Sequence, residues 1–445
     1  MAEINKAPRG TADVMPEESY KWRYLEKTML ETAELYGYKE IRTPVFEHTE
    51  VFTRSVGDTT DVVQKEMYTF LDKGERSITL RPEMTAGNVR AVIEHGNVCG
   101  ALPYKTCYIG PCYRYEKPQA GRLREFHQFG VECFGAADAA ADAEIISLAD
   151  AVLNRIGIKN LSLEINSIGC PECRKVYHEA LKEYFNLHIE SLCETCRERL
   201  ERNPMRIFDC KSPVCQEVCK GAPIMLDYLC DECSVHFEKV KKHLGAAGID
   251  YTVNPSIVRG LDYYTRTVFE FVSGDIGAQS TVCGGGRYDG LVSQMGGAYT
   301  PSLGFAMGIE RLLLVMKNQG TDFPEPKTCD VYIGSAGESA SVYATQLAAA
   351  LRAEGFSVQT DTVGRSIKAQ MKFANKIGAK NCVIIGNNEL ETKTATLKDM
   401  QGGENVEVTL PDGLVGAVYS KEIDNAIGSL QDSVEDVANI IKSGE

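Results

Sequence analysis

Between Phe126 and Phe134 the chain alternates in a way that a plain core strand does not require. Successive side chains of a strand point to opposite faces, so His127, Phe129, Val131 and Cys133 share one face, an apolar set suited to a core. Phe126, Gln128, Gly130, Glu132 and Phe134 share the other. A Gln, a Gly and a Glu in sequence supply two hydrogen-bonding groups and a gap between aromatic rims. The segment before it repeats the logic, with Tyr113 and Tyr115 on one side and Arg114 and Glu116 on the other. Such a pair is either the polar floor of a pocket or a solvent-facing antiparallel sheet with cross-strand ion pairs, and alternation alone serves both.

Cysteines form the second chemical feature. Of sixteen, nine lie between Cys170 and Cys233. Three Cys-x-x-Cys pairs occur, Cys170/Cys173, Cys193/Cys196 and Cys230/Cys233, with Cys210, Cys215 and Cys219 between them. Paired thiolates at this spacing indicate zinc, and four close a structural site. An iron–sulfur cluster also uses four cysteines, and buried free thiols are the bland alternative. Which four of the six paired cysteines bind is left open by the sequence.

Two further segments have chemistry in their spacing. Arg365, Lys368, Lys372, Lys376 and Lys380 stay within about a third of a helix circumference, and no acidic residue occurs from Thr362 to Asn388. Solvated helix faces normally mix both signs, so this stripe favours contact with RNA. The run Cys283–Gly290 is rich in glycine, but it has neither the Gly-Lys-Ser/Thr of a phosphate loop nor the dinucleotide spacing. Its glycines suit close approach of backbone to a substrate.

The elements that must position these groups are legible in outline. Glu17–Tyr36 repeats apolar residues at helical spacing and stops at Gly37. Met67–Leu71 and Arg76–Leu80 predict a hairpin, and Lys105–Glu116 with Glu125–Phe134 predict a second pair of strands around the loop Lys117–Arg124. Long strands joined by hairpins imply an antiparallel sheet flanked by helices. From about residue 170 to 248 a helical, cysteine-rich insertion interrupts it. The organisation expected is a catalytic domain over 1–325 carrying that insertion, a small α/β domain over 327–422 and a tail over 423–445, in all an α/β chain of mixed type. A length of 445 residues suits such a division. The net charge of −14 argues against general nucleic-acid binding, so any RNA site must be a local basic patch. No stretch of ~18 apolar residues occurs, and Met1–Thr11 lacks the order of a signal peptide; a cytoplasmic protein is expected.

Resemblance decides between the alternatives for the strand pair. Arg114-Tyr115-Glu116, a loop, and Arg122-Leu123-Arg124-Glu125-Phe126-His127-Gln128 resemble motif 2 of class II aminoacyl-tRNA synthetases. Gly304–Arg311 resembles motif 3, and the helix ending at Gly37 with Ile41-Arg42-Thr43-Pro44 resembles motif 1, with its proline at a dimer interface. Leu80–Gly87, Arg259–Thr265 and Thr281–Gly290 are similar to the signatures of the histidyl-tRNA synthetase family. The likeness runs from about Pro8 to Met400 and departs mainly in the cysteines.

The resemblance implies an enzyme that activates histidine with ATP and loads it onto tRNA(His), acting as a homodimer. It implies that Arg114 holds the α-phosphate, that Arg311 reaches the γ-phosphate and adenine face, and that Phe126 stacks on adenine, with Glu116 also at the ATP site. Arg259 takes the place near the carboxylate and α-phosphate where other class II enzymes put a metal, a task suited to a permanently charged, bidentate guanidinium. Glu83, Glu132, Thr85 and Gln128 are implied around the ammonium and a ring N–H of histidine, and Tyr263 and Tyr264 at the other ring nitrogen. Magnesium accompanies the outer phosphates. Gln119, Arg122 and Arg124 match positions that meet the tRNA acceptor end, and the C-terminal domain resembles an anticodon-binding module. The main alternative is a non-catalytic synthetase-like regulatory paralogue of histidine biosynthesis, which should lack the ATP arginines and the C-terminal domain.

Overall fold

A computed structural model describes every residue except 1–4, 58–59, 61, 120, 209, 260, 277–279 and 444–445; Gly260 of the Arg259–Thr265 segment and Ala120 of the Lys117–Arg124 loop therefore lie outside the described residues. Before residue 325 the strands are β1 (Lys39–Glu40), β2 (Phe46–His48), β3 (Tyr68–Leu71), β4 (Ser77–Leu80), β5 (Tyr104–Tyr113), β6 (Glu125–Phe134), β7 (Leu161–Ser167), β8 (Thr252–Val253), β9 (Thr265–Ser273), β10 (Thr281–Arg287) and β11 (Ser302–Gly308). Eight of these make one sheet in the order β1-β5-β6-β11-β10-β9-β7-β8, and β2-β4-β3 make a small one. The central six pair antiparallel, while the short edge strands β1 and β8 run parallel to their neighbours.

One face of the large sheet is closed by helices. The first, Pro16–Leu35, has proline in its opening turn, where the missing N–H costs nothing, and Glu17 and Glu18 at its positive end. Its Leu25, Met29 and Ala33 pack with Ile146 and Leu153 of Ala139–Arg155 and Val315 of Ile309–Gln319 onto Phe129 and Val131 of β6. Fixing β6 by this apolar face leaves Phe126, Gln128 and Glu132 on the other. Phe134, on that same polar side, is instead buried in a second core with Tyr263, Tyr264 and the insertion.

After β7 the chain leaves the sheet through the helices Pro171–Leu187, Glu194–Arg202, Pro213–Cys219 and Asp231–Ala246 and returns at β8. A buried ion network anchors that return. Arg287 is fully buried and bonds Asp142 at 2.5 Å and Asp289 at 3.1 Å, while His236 of the last of these helices stands 3.3 Å from Asp142. Burial works against ionisation of Asp142, yet the charge of Arg287 and the His236 hydrogen bond bring it down to about 2.

The chain divides into two compact units, Met1–Pro324 and Glu325–Glu445. In the second, β12 (Val331–Ser335), β13 (Val358–Thr360), β14 (Asn381–Ile385), β15 (Thr394–Asp399) and β16 (Val406–Thr409) are ordered β13-β12-β14-β15-β16, the first three parallel. The helix Asp412–Ser443 continues past position 422, where the sequence reading ended the domain. No proline follows Pro411 to stop it. No described helix is long and apolar enough to cross a membrane.

Candidate active site

A cleft of about 800 Å³ opens on the polar face of the large sheet, lined by Phe126, Gln128 and Glu132 of β6, by β10 and β11, and by Arg114, Arg259 and Arg311. It has two chemically opposite ends.

The acidic end is buried. Glu83 accepts the backbone N–H groups of Thr85 and Ala86, each at 2.8 Å, and so caps the helix Thr85–Glu94. Thr85 is the first residue of that helix. Burial raises Glu83 against those N–H donors. Glu132 accepts the Tyr108 hydroxyl at 2.8 Å and the Tyr288 hydroxyl on its other oxygen. Burial pushes it up to about 8, although these phenols favour its charged form. Tyr263 and Tyr264 are buried beside them, their ring centroids 4.7 Å apart.

Three guanidinium groups make the basic end. Arg311 donates from Nη1 to the Thr281 carbonyl at 2.5 Å and is lowered by burial and by the charges of Arg122 and Arg114. Arg114 donates to the Pro82 carbonyl at 2.8 Å and sits 5.3 Å over the Phe126 ring. Arg122 lies against Glu116 at the cleft, and the Gln119–Arg122 bridge folds the loop back on itself. Gln119 itself is exposed, and Arg124 stacks on Tyr115 at 3.9 Å.

Arg259 stands between the two ends. It pairs with Glu270, whose other oxygen accepts the Thr281 hydroxyl at 2.7 Å. Its Nε is buried without a hydrogen-bond partner among the described residues. Of the glycines of Cys283–Gly290, Gly284 makes room for this arginine: a side chain there would collide with its guanidinium. Likewise a side chain at Gly304 would strike the Glu132 carboxylate.

His127 departs from the apolar role assigned to its face. Its backbone N–H and Nδ1 both meet Glu310 at 2.9 Å, tying β6 to the helix Ile309–Gln319. Sequence reasoning also missed Tyr108, Tyr288 and Glu270. A signal existed for two of them: Tyr108 pairs across the ladder with Gly130, whose gap its ring fills, and Glu270 pairs with Gly284, whose gap is filled by Arg259, the ion-pair partner of Glu270.

A family model described as histidyl-tRNA synthetase matches residues 10–174 and 224–312. A histidine–tRNA ligase of Caldanaerobacter subterraneus subsp. tengcongensis is 56% identical over 409 residues, 92% of this chain and 98% of the relative. The chain belongs to the histidyl-tRNA synthetase family. The crystal structure of the apo S. aureus histidyl-tRNA synthetase superposes with a TM-score of 0.81 at 41% identity, covering 93% of this chain and all of that one. A protein titled ATP phosphoribosyltransferase regulatory subunit/histidyl-tRNA synthetase, from Bacillus halodurans C, shares the fold with a TM-score of 0.63 at 23% identity over 87% of this chain and 100% of that one.

Within this synthetase framework the insertion gathers its cysteines into two sets, Cys170/Cys173/Cys230/Cys233 and Cys193/Cys196/Cys210/Cys215. The first set is four of the six paired cysteines, and the pair Cys193/Cys196 lies instead with Cys210 and Cys215, beyond the helix Glu194–Arg202. Each Cys-x-x-Cys opens a helix, with Cys170, Cys193 and Cys230 at the caps, where the helix dipole favours thiolate. Cys219 belongs to neither set.

A family model described as an anticodon binding domain matches residues 330–414. There the helix Ile367–Lys376 exposes Lys368, Lys372 and Lys376. The ends of the expected stripe are neutralised: Arg365 pairs with Asp361 at 2.7 Å, and Lys380 with Asp330 at 2.9 Å and Glu422 at 2.6 Å.

Proposed function

We propose that this chain is a histidine–tRNA ligase. The carboxylate of L-histidine attacks the α-phosphorus of ATP, the bond to pyrophosphate breaks, and histidyl-adenylate remains. A terminal ribose hydroxyl of tRNA(His) then attacks the acyl carbon and AMP leaves. The observation that carries this reading is the two-ended cleft spanned by Arg259. Arg114, Arg122 and Arg311 repel one another until a polyanion arrives, and the buried Glu83, Glu132 and phenols suit an ammonium and an imidazole.

Arg259, with a donor still unpaired, bridges the carboxylate and the α-phosphate and neutralises charge where the two anions meet. Phe126 takes the adenine, and Gln128 and Thr85 complete the amino-acid floor. Magnesium arrives with the phosphates, and the Glu116 carboxylate fits such a hard cation. Lys368, Lys372 and Lys376 meet the tRNA backbone in the C-terminal unit, with Gln119 and Arg124 nearer the acceptor end. The same reading takes the protein as a cytoplasmic homodimer whose insertion holds structural metal. The regulatory alternative is disfavoured because all three ATP arginines stand in the cleft. Charging of tRNA(His) with labelled histidine tests the proposal; no charged tRNA in the presence of ATP and magnesium would refute it.

A further inference from the structure

The two cysteine sets differ in what they touch. Cys193 and Cys210 of the second set line the substrate cleft together with Arg199 and Arg206, whereas the first set does not contribute to its wall. Between Cys196 and Cys210 the chain presents Asn203 and Arg206 to Asp262, at 3.2 Å and 3.0 Å. Asp262 immediately precedes Tyr263 and Tyr264. Arg199 holds this turn by donating to the Arg206 carbonyl at 3.0 Å, and Cys196, Cys210, Cys215, Tyr263 and Tyr264 share one core. All four cysteines of this set fall between the two segments matched by the family model, 10–174 and 224–312, and the other four fall within them.

Each set has the geometry of a mononuclear ion. Within a set all sulfurs lie within 4.8 Å of one another. The Cys193 and Cys210 sulfurs are 3.8 Å apart and those of Cys170 and Cys173 are 3.5 Å apart. A tetrahedron with Zn–S bonds of about 2.3 Å has edges of about 3.8 Å. A multi-iron cluster places metals and sulfides between its thiolates, which sulfurs this close do not admit. Backbone N–H groups already support the sulfurs: Cys193 N donates to Cys215 Sγ at 3.3 Å, Ser212 N to Cys210 Sγ at 3.4 Å and Cys230 N to Cys173 Sγ at 3.1 Å.

We propose that the insertion carries two separate zinc ions, and that the one held by Cys193, Cys196, Cys210 and Cys215 builds the cleft wall that positions Asp262, Tyr263 and Tyr264. The kinetic half of this proposal rests on the ligase reading above; the metal half does not. Elemental analysis of the full-length, zinc-reconstituted protein should return two zinc ions per chain. Cys193→Ser combined with Cys210→Ser should keep one, and should raise KM for histidine in ATP–pyrophosphate exchange by roughly tenfold to a hundredfold with a smaller change in kcat, the signature of a displaced binding wall. Cys219→Ser should match the parent in both respects. Fewer than two zinc ions in the parent, or iron in their place, overturns the two-site assignment. Loss of one zinc with an unchanged KM overturns the wall. If the double variant does not fold by circular dichroism, Cys210→His decides, since it keeps a ligand: retention of both ions and of the parent KM supports the proposal, and loss of one ion without kinetic effect overturns it. A parent protein with two zinc ions but no histidine-dependent exchange would refute the ligase reading and leave the metal sites standing.

Discussion

The two ends of the cleft solve opposite problems. At the basic end Arg114, Arg122 and Arg311 are partly open, hold backbone carbonyls or Glu116, and press their charges on one another. At the acidic end Glu83 and Glu132 are almost wholly buried and wrapped by N–H groups and phenols. Crowded cations near water can wait for a triphosphate at modest cost, because solvent screens them. Buried carboxylates cannot wait charged unless every lone pair is met, and burial raises both. Nucleotide capture is therefore an exposed, tolerant device, while amino-acid choice is a dry, exacting one, since a wrong ligand leaves buried polar groups unpaired.

That contrast can be broken most forcefully at its bridge. Arg259→Ala should cut kcat/KM for histidine-dependent exchange by roughly a thousandfold, the size expected for a lost preorganised cation at developing charge. A loss below tenfold would remove Arg259 from the chemistry. Next, Glu83→Gln should raise KM for histidine by about a hundredfold, a buried charge pair being worth several kcal/mol, with KM for ATP nearly unchanged. Equal effects on both substrates would erase the distinction between the ends. Arg122→Ala should do the reverse on a smaller scale, raising KM for ATP about tenfold, as one of several phosphate donors.

The C-terminal unit supplies a control on the same scale. Lys372→Glu with Lys376→Glu should lower tRNA charging by about tenfold through lost phosphate contacts and leave tRNA-independent exchange intact. Loss of both activities would make that helix structural.

The smallest effect concerns protons. With the Glu132 carboxyl at about 8 in the free protein, a proton occupies it near neutral pH. An incoming ammonium favours the carboxylate, so that proton must leave. Histidine affinity should thus rise as pH climbs toward about 8, and calorimetry in buffers of differing ionisation enthalpy should show proton release that Glu132→Gln lacks. Equal release by both proteins would cancel the substrate's own titration and assign none to Glu132.

Much of this was legible because local periodicity reports which face of a strand is apolar. Phe126, Gln128 and Glu132 share a face whatever the partner strand. Tyr108 and Glu270 were legible only indirectly, through Gly130 and Gly284, since they reach the site by ladder register with β6 and β10, which is set by distant packing; Tyr288, which follows β10, was not legible. The Cys-x-x-Cys pairs were visible, but Cys210 and Cys215 joined a set only through the path of one loop. The ion pairs of Arg122 with Glu116 and Arg365 with Asp361 were not legible either: loops obey nearby partners more than spacing.

The most direct test of the central claim is amino-acid-dependent ATP–pyrophosphate exchange across all twenty amino acids with the unmodified protein. The two-ended cleft predicts exchange with histidine alone; no exchange with histidine, or equal exchange with another amino acid, would contradict it.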